Sequence, residues 1–180
     1  GSATVHFPIW HQEIEDIIVL KNNKGTEDNR VRKLDYSIQL SKLFYERFIN
    51  DEDITLFSPH EVPELYEAWG TEAFDDLYTK AERKTSITKK KISAQTLFMD
   101  MLKERAETGR IYIMNIDHCN THSSFKDRIY MSNLCQEITL PTDPIQHIDG
   151  KGEIALCILS AINVGKIKDT DELEILCDLA

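Results

Sequence analysis

The chain has 180 residues, of which 41% are hydrophobic and 29% are charged, a balance typical of one soluble globular domain. Its formal net charge is −10, from 31 acidic and 21 basic residues, which argues against broad nucleic-acid binding through a basic surface. No apolar run reaches the length of a membrane span and no signal peptide is recognisable, so we expect a cytoplasmic protein with no membrane or nucleic-acid partner.

Hydrophobic periodicity predicts alternating helices and strands in the first half of the chain. Trp10, Ile14, Ile17 and Ile18 form one apolar stripe between acidic positions, which is typical of an amphipathic helix. Ser41 is a candidate cap for a later helix. The predicted elements are a helix over 8–20, a polar loop over 21–33, a strand over 34–40, a helix over 42–50, a strand over 53–63 and helices over 64–70 and 71–83.

The second half contains the clearest helix of the chain, over 93–109, with Ser93 as its cap and Gly109 as its stop. Strands and helices continue to alternate around it, so the sequence predicts an α/β architecture with largely parallel strands. The other predicted elements are a solvated basic loop over 85–91, a strand over 110–116, an extended segment over 129–140, a loop over 141–152, a buried apolar strand over 153–165 and a helix capped by Asp169 or Thr170.

Two segments suggest sites by residue type alone. The run DHCNTH (117–122) has metal-ligand side chains, and His118 and His122 have i, i+4 spacing. It follows a strand and has no second ligand pair at zinc spacing, so a hydrogen-bonded loop without metal is the favoured interpretation. A cysteine nucleophile with a histidine base is the second possibility, using Cys135 and any of the six histidines. No nucleophile-elbow glycine pattern surrounds Cys135.

The stretch SNLCQE (132–137) is the more informative candidate. Asn133, Cys135 and Glu137 occupy alternate positions, so in an extended chain they would share one face. Such a trio can arise by chance on a solvent-exposed face. Alternatively, the amide, the thiol and the carboxylate act together in one site. Spacing alone leaves both interpretations open. The four cysteines form no Cys-x-x-Cys pair and are predicted to be free thiols: Cys119, Cys135, Cys157 and Cys177.

A family resemblance favours the second interpretation. The segments LKNNKGTEDNRVRKLDYSIQLSKLFYERF, DITLFSPHEVPELYEA, ERAETGRIYIMNIDHCNTHSSF, MSNLCQEITLPT and GEIALCILSAINVGKI resemble, in order, blocks of the large catalytic subunit of class I ribonucleoside-diphosphate reductase. The sequences of these segments are most similar to those of bacterial and tailed-phage enzymes. The resemblance covers nearly the whole chain, and SNLC-x-EI-x-LPT followed by GEIALC-x-LSA is its most specific part.

The resemblance implies a fold and a set of roles. The family fold is a ten-stranded α/β barrel whose central finger loop carries the radical cysteine. Cys135 would be the thiyl radical that takes the 3′ hydrogen of the ribose, Glu137 the base on the 3′ hydroxyl and Asn133 a hydrogen-bonding partner of the sugar. The substrate-binding set would be Asn133, Leu134, Cys135, Gln136 and Glu137. Cys157 would be one of two thiols that reduce the 2′ position and become a disulfide.

The resemblance also implies partners. These are a ribonucleoside diphosphate substrate, a radical-generating small subunit with a di-metal centre, thioredoxin or glutaredoxin, ATP and deoxynucleotide effectors, and the remainder of a dimeric large subunit. The product would serve deoxyribonucleotide biosynthesis and DNA replication. No cofactor is expected on this segment itself.

We expect residues 1–180 to be a partial catalytic barrel domain, without the N-terminal regulatory domain, the C-terminal half of the barrel and the upstream partner of Cys157. The last helical pattern has no residue that ends a helix, which also indicates a piece of a longer chain. The alternative is a non-catalytic structural or binding fragment of the same subunit, inactive alone.

Overall fold

The computed structural model describes residues 2–143, 145, 147, 149–154, 156 and 159–180, and the structural statements below concern these residues. The strands are Thr4–Pro8 (β1), Asp35–Leu40 (β2), Asp53–Phe57 (β3), Lys89–Ser93 (β4), Ile111–Asn115 (β5), Met131–Ser132 (β6) and Thr139–Leu140 (β7). The helices are Ile14–Ile18 (α1), Lys42–Ile49 (α2), Pro63–Ala68 (α3), Phe74–Arg83 (α4), Ala94–Thr108 (α5), Ile116–Thr121 (α6) and Thr170–Leu179 (α7).

A parallel sheet in the order β1-β2-β5 organises the described chain. Thr4 lies beside Asp35, and Tyr36 beside Ile111, so β2 is the central strand. Strand β2 is buried from Tyr36 to Leu40, as expected of a parallel strand covered on both sides. The α/β prediction with parallel strands is confirmed here for three adjacent strands.

The two faces of this sheet differ in chemistry. Ile38 and Leu40 of β2 are fully buried in the hydrophobic core, together with Phe44 of α2 and with Leu97 and Met101 of α5. Burial of this apolar surface is the main stabilising contribution to the fold. The alternate residues of the strands form a polar face: Thr4, His6, Ser37 and Gln39.

The capping signals of the sequence locate α5 correctly. The Ser93 hydroxyl accepts a hydrogen bond from the Thr96 backbone N–H at 3.3 Å, and Gly109 ends the helix at φ +66°. Ser41 precedes α2 as predicted, but its side chain makes no cap bond. Instead the Asp117 carboxylate accepts from the Lys42 N–H at 2.6 Å, so a distant residue caps this helix.

The predicted helix over 8–20 is largely wrong. Only Ile14–Ile18 is helical. Strand β1, at Thr4–Pro8, was not predicted. The reason is long-range pairing: the Ile9 N–H donates to the Gln39 carbonyl at 3.0 Å, and the Gln12 N–H donates to the Phe57 carbonyl at 2.8 Å. The apolar stripe is nevertheless buried, because Trp10, Ile14, Ile17 and Ile18 all face the core.

The predicted solvated loop over 85–91 is partly wrong, because Lys89–Ser93 forms strand β4, antiparallel to β3. In the described sheet β4 pairs with β3 alone, so its other edge is open. Charged side chains suit such an edge strand, since they discourage further pairing while remaining solvated. Lys90, for example, pairs with the Glu15 carboxylate.

The predicted buried strand over 153–165 is not formed by its described residues. Ile154, Leu156 and Leu159 are 71%, 74% and 84% exposed. A strand buried on both faces needs neighbouring strands and covering layers, and the described residues provide neither for this segment. Helix α7 forms as predicted, with the Asp169 carboxylate accepting from the Glu172 N–H at 2.9 Å, but it has no buried side chain. No helix in the described part of the chain has the length and apolarity that crossing a membrane requires.

Candidate active site

The SNLCQE stretch forms the turn of a short hairpin rather than a continuous strand. Strands β6 and β7 pair antiparallel, with Met131 beside Leu140 and Ser132 beside Thr139. Gln136 has a positive φ of +61°, and its N–H donates to the Asn133 carbonyl at 3.2 Å. The prediction of an extended segment over 129–140 is therefore confirmed only for β6 and β7. The single alternating face of Asn133, Cys135 and Glu137 is wrong, since a tight turn breaks the two-residue period.

Asn133 holds the hairpin closed and retains one free donor group. Its Oδ1 accepts from the Ile138 N–H at 3.0 Å and from the Ser132 hydroxyl at 3.1 Å. Its side chain is buried, with 3% exposure, yet Nδ2 has no hydrogen-bond partner in the described part of the chain. A buried donor without a partner carries a desolvation cost that a ligand oxygen would relieve.

The polar face of the sheet holds the hairpin in place. The Thr4 hydroxyl donates to the Leu134 carbonyl at 2.5 Å, and the Gln39 amide donates to the Tyr130 carbonyl at 2.6 Å. Nε2 of His6 lies 3.2 Å from the carbonyl oxygen and 3.3 Å from the nitrogen of Ser132. Burial lowers the pKa of His6, and the Ser132 backbone bond partly opposes this effect.

Cys135 occupies the exposed turn between Asn133 and Glu137. All three residues line a cleft of about 550 Å³, and Ile154 and Leu156 also line it. The cleft thus combines a thiol, an amide donor and a carboxylate with an apolar surface. Such a site can bind a small ligand through donor and acceptor groups, and its carboxylate can accept a proton. The hairpin brings together the three residues that the sequence singled out, although by a turn and not by strand alternation.

The DHCNTH segment does not lie in a loop, because it forms helix α6 after strand β5. The His118 and His122 rings have centroids 5.5 Å apart, and Nδ1 of His122 lies 3.2 Å from the His118 carbonyl oxygen. Within the described ranges, no three His, Cys, Asp or Glu side chains gather as a metal site. Burial, with the nearby Asp117 charge, raises the pKa of Cys119 and favours its thiol form.

The remaining sequence predictions have different outcomes. Cys157 lies outside the described residues, so its redox role stays a prediction. In the part of the chain that the structure describes, no histidine nitrogen hydrogen-bonds the Cys135 thiol, so the geometry gives no support to a cysteine–histidine nucleophile. Sequence reasoning missed the residues that anchor the hairpin. Polar Ser37 and Gln39, set between apolar residues of a central strand, were the available signal.

Comparison with known proteins assigns the family. Residues 1–180 match the family model described as ribonucleotide reductase, barrel domain. The chain belongs to this family. The ribonucleotide reductase relatives include the ribonucleoside-diphosphate reductase subunit alpha of Haemophilus influenzae, which is 56% identical over 95% of this chain and 23% of the relative. The corresponding subunit of Escherichia coli (reductase 1) is 55% identical over 81% of this chain and 20% of the relative.

A phage relative extends the same pattern. The ribonucleoside-diphosphate reductase subunit alpha of Enterobacteria phage T4 is 44% identical over 99% of this chain and 24% of the relative. The chain therefore spans about a quarter of the length of the ribonucleotide reductase subunits that it matches. The predicted resemblance to bacterial and phage large subunits is confirmed.

Proposed function

We propose that this chain is the part of a ribonucleoside-diphosphate reductase catalytic subunit that carries the radical thiol. The activity is the conversion of ribonucleoside diphosphates to 2′-deoxyribonucleoside diphosphates. The observation that carries the proposal is the hairpin turn, which presents Cys135 on the wall of a 550 Å³ cleft between Asn133 and Glu137. In this proposal the hairpin is the finger loop of a ten-stranded barrel to which β1, β2 and β5 contribute.

The proposed chemistry needs a thiol at this place. A thiyl radical on Cys135 takes the hydrogen atom from C3′, which forms the S–H bond and leaves a carbon radical on the ribose. Glu137 accepts the proton of the 3′ hydroxyl, and the unpaired Nδ2 of Asn133 donates to a sugar oxygen. Positioned proton transfer of this kind contributes typically ~10²–10⁴-fold to a rate.

The 2′ hydroxyl then leaves as water, and two thiols supply the two electrons and become a disulfide. Cys157 is one of these thiols in the proposal, and its partner belongs to a segment outside residues 1–180. The hydrogen first taken from C3′ returns from Cys135, which regenerates the thiyl radical. Thioredoxin or glutaredoxin reduces the disulfide after turnover, so atoms and electrons balance over the cycle.

Other polypeptides complete the proposed enzyme. A small subunit with a di-metal centre supplies the radical, and the remainder of a dimeric large subunit supplies the other walls of the site and the sites for ATP and deoxynucleotide effectors. The exposed apolar side chains of Ile154, Leu156 and Leu159 support this view, because further strands would bury them. We propose that the enzyme is cytoplasmic and that residues 1–180 alone are inactive, as a structural fragment would be.

The experiment compares cysteine variants in the full-length large subunit, assembled with its small subunit, a dithiol reductant and cytidine diphosphate. Cys135→Ser is expected to reduce deoxycytidine diphosphate formation below detection. Cys177→Ser is the matched control and should retain full activity, because Cys177 is an exposed thiol on α7 and is not among the described residues that line the cleft. Wild-type turnover by Cys135→Ser would rule out the proposed function.

A further inference from the structure

Gln136, next to Cys135 in the hairpin turn, has a side chain fixed at both ends. The Ser37 hydroxyl donates to Oε1 of Gln136 at 2.5 Å, and Nε2 of Gln136 donates to the Ile113 carbonyl at 2.7 Å. These contacts join residues separated by 99 and 23 positions in the sequence. One amide therefore bridges the central strand β2 and its neighbour β5.

The backbone of Gln136 also needs this support. In the described part of the chain, Asp51 and Gln136 are the residues other than glycine with positive φ. A glutamine has no intrinsic preference for the left-handed region, so surrounding contacts must hold it there. Ser37 is fully buried, which gives the amide a rigid partner in the sheet.

We propose that Gln136 is a positioning residue for the radical cysteine, an inference that rests on the proposed function of Cys135. The two side-chain bonds set the height and direction of the turn above the sheet. Because Cys135 is covalently adjacent, they also set where its sulfur lies relative to Asn133 and Glu137. Gln136 acts through the backbone, and no contact with substrate is required of it.

Two single substitutions separate the side-chain bridge from the backbone conformation. Gln136→Gly accepts positive φ more readily than glutamine but removes both bonds, whereas Gln136→Glu keeps the shape but cannot donate to the Ile113 carbonyl. In the full-length assembly we expect kcat to fall about tenfold in each variant, with KM for cytidine diphosphate unchanged. This loss is smaller than the ~10²-fold that a misplacement of about 1 Å can cause. The unpaired, buried Ser37 hydroxyl should lower the melting temperature of Gln136→Gly, so kcat is measured on folded protein well below that temperature.

A double substitution tests whether Ser37 and Gln136 act together. Gln136→Leu alone leaves the buried Ser37 hydroxyl unpaired, and Ser37→Ala alone leaves Oε1 of Gln136 unpaired. Removing both polar partners costs less stability than removing one, so the double variant should melt at a higher temperature than Gln136→Leu alone. Its kcat should equal that of Gln136→Leu, because Ser37 acts on Cys135 only through Gln136.

Three results would overturn the inference: wild-type kcat in Gln136→Gly, a rise in KM without a fall in kcat, or a loss of activity that a lower melting temperature fully explains. Cys135→Ser is measured in the same assembly to separate the two proposals. If Cys135→Ser is active, the proposed function fails. If Cys135→Ser is inactive and Gln136→Gly is fully active, only the positioning role fails.

Discussion

His6 and Ser132 are 126 residues apart, yet Nε2 of His6 lies 3.2 Å from the Ser132 carbonyl oxygen. This contact joins the edge strand β1 to the first strand of the hairpin that carries Cys135. Nδ1 of the same ring is buried and has no partner among the described residues. The imidazole therefore sits between the sheet and the hairpin, where a second ring proton would remain without an acceptor.

We expect the stability of the fold to depend on the protonation of His6. Burial lowers its folded pKa below the ordinary 6.5, so the unfolded chain binds the proton more readily. The free energy of unfolding should be highest above pH 6.5 and should fall as the pH drops from there toward the folded pKa. Urea denaturation at a series of pH values measures this slope.

His6→Gln should make that pH dependence weaker but not remove it, because burial also lowers the pKa of His11. His60→Gln is the control, since His60 is exposed, and it should leave the slope unchanged. Equal slopes in wild type and His6→Gln would contradict the assignment of this effect to His6.

The paired carboxylate of Glu82 should contribute strongly to stability. The two terminal guanidinium nitrogens of Arg47, Nη1 and Nη2, each donate to one oxygen of this carboxylate at 2.6 Å, and the Thr55 hydroxyl also donates to it at 2.6 Å. Burial alone would raise the pKa of Glu82, but the bonds from Arg47 and Thr55 outweigh it, so the pKa is lowered. This stabilisation is present above the unfolded pKa and is lost as the pH falls through the folded pKa.

Glu82→Gln should destabilise the fold by about 3 kcal/mol, because it leaves the mostly buried Arg47 guanidinium without its counter-charge. Glu64→Gln removes the more exposed pair with Lys84 and should change the free energy of unfolding by less than about 1 kcal/mol. Denaturant titration of both variants measures the difference. Equal effects would show that the burial of the Arg47–Glu82 pair has no energetic consequence.

Two glycines with positive φ allow a steric contact to be separated from a backbone effect. Gly70 has φ +79°, and a Cβ there would lie 2.7 Å from Cγ1 of Ile116 and 2.9 Å from Nδ2 of Asn120. Gly109 has φ +66° but open space around it. Gly109→Ala should therefore cost only the left-handed backbone term, roughly 1–2 kcal/mol.

Gly70→Ala should cost more than Gly109→Ala, because Asn120 must also move. The Asn120 side chain bonds both the N–H and the carbonyl of Ile129, at 2.9 and 3.0 Å, and so fixes the segment that leads into the hairpin. The measurement is the free energy of unfolding of each variant. Equal destabilisation by the two alanines would mean that Ile116 and Asn120 move away from the new Cβ at position 70 without a cost in free energy.

Asn133 allows its structural and functional roles to be tested apart. Asn133→Asp keeps an oxygen that accepts from Ile138 and Ser132, but it lacks the donor that we propose for the sugar. We expect a fall in kcat/KM of about tenfold or more, the loss expected for one hydrogen bond of ~1.5 kcal/mol. The new carboxylate is buried and should lower the melting temperature, so kcat/KM is measured on folded protein below that temperature. Asn133→Ala, which loses both functions, should also melt at a lower temperature. Full activity in Asn133→Asp would exclude the donor role.

Local patterns predicted the elements whose determinants are local. Helix α5 was predicted because Ser93 and Gly109 cap a long amphipathic segment, and α7 because Asp169 precedes a helical pattern. Strands β2 and β5 were also predicted from their own residues, with bounds within one residue of those observed. In each case the residues that decide the structure lie within or beside the element.

The hairpin could not be predicted in this way, because its conformation depends on contacts distant in sequence. The bond between Ser37 and Gln136 spans 99 residues, and the bond between Thr4 and Leu134 spans 130. Strand β1 was missed for the same reason, because it forms by pairing with the distant strand β2, and the residues after it show the period of a helix. The identity of the site residues came from the family motif, and the turn that brings them together came from the structure.

The central claim is that the Cys135 sulfur takes the 3′ hydrogen of the substrate. The direct measurement is the consumption of cytidine diphosphate by the full-length assembly, with hydrogen or deuterium at C3′. Wild type and Cys157→Ser should both consume the deuterated substrate more slowly, although Cys157→Ser should not form the normal product. Cys135→Ser should consume neither form. Consumption by Cys135→Ser that is slowed by 3′ deuterium would contradict the account, because another group would then break the C3′–H bond.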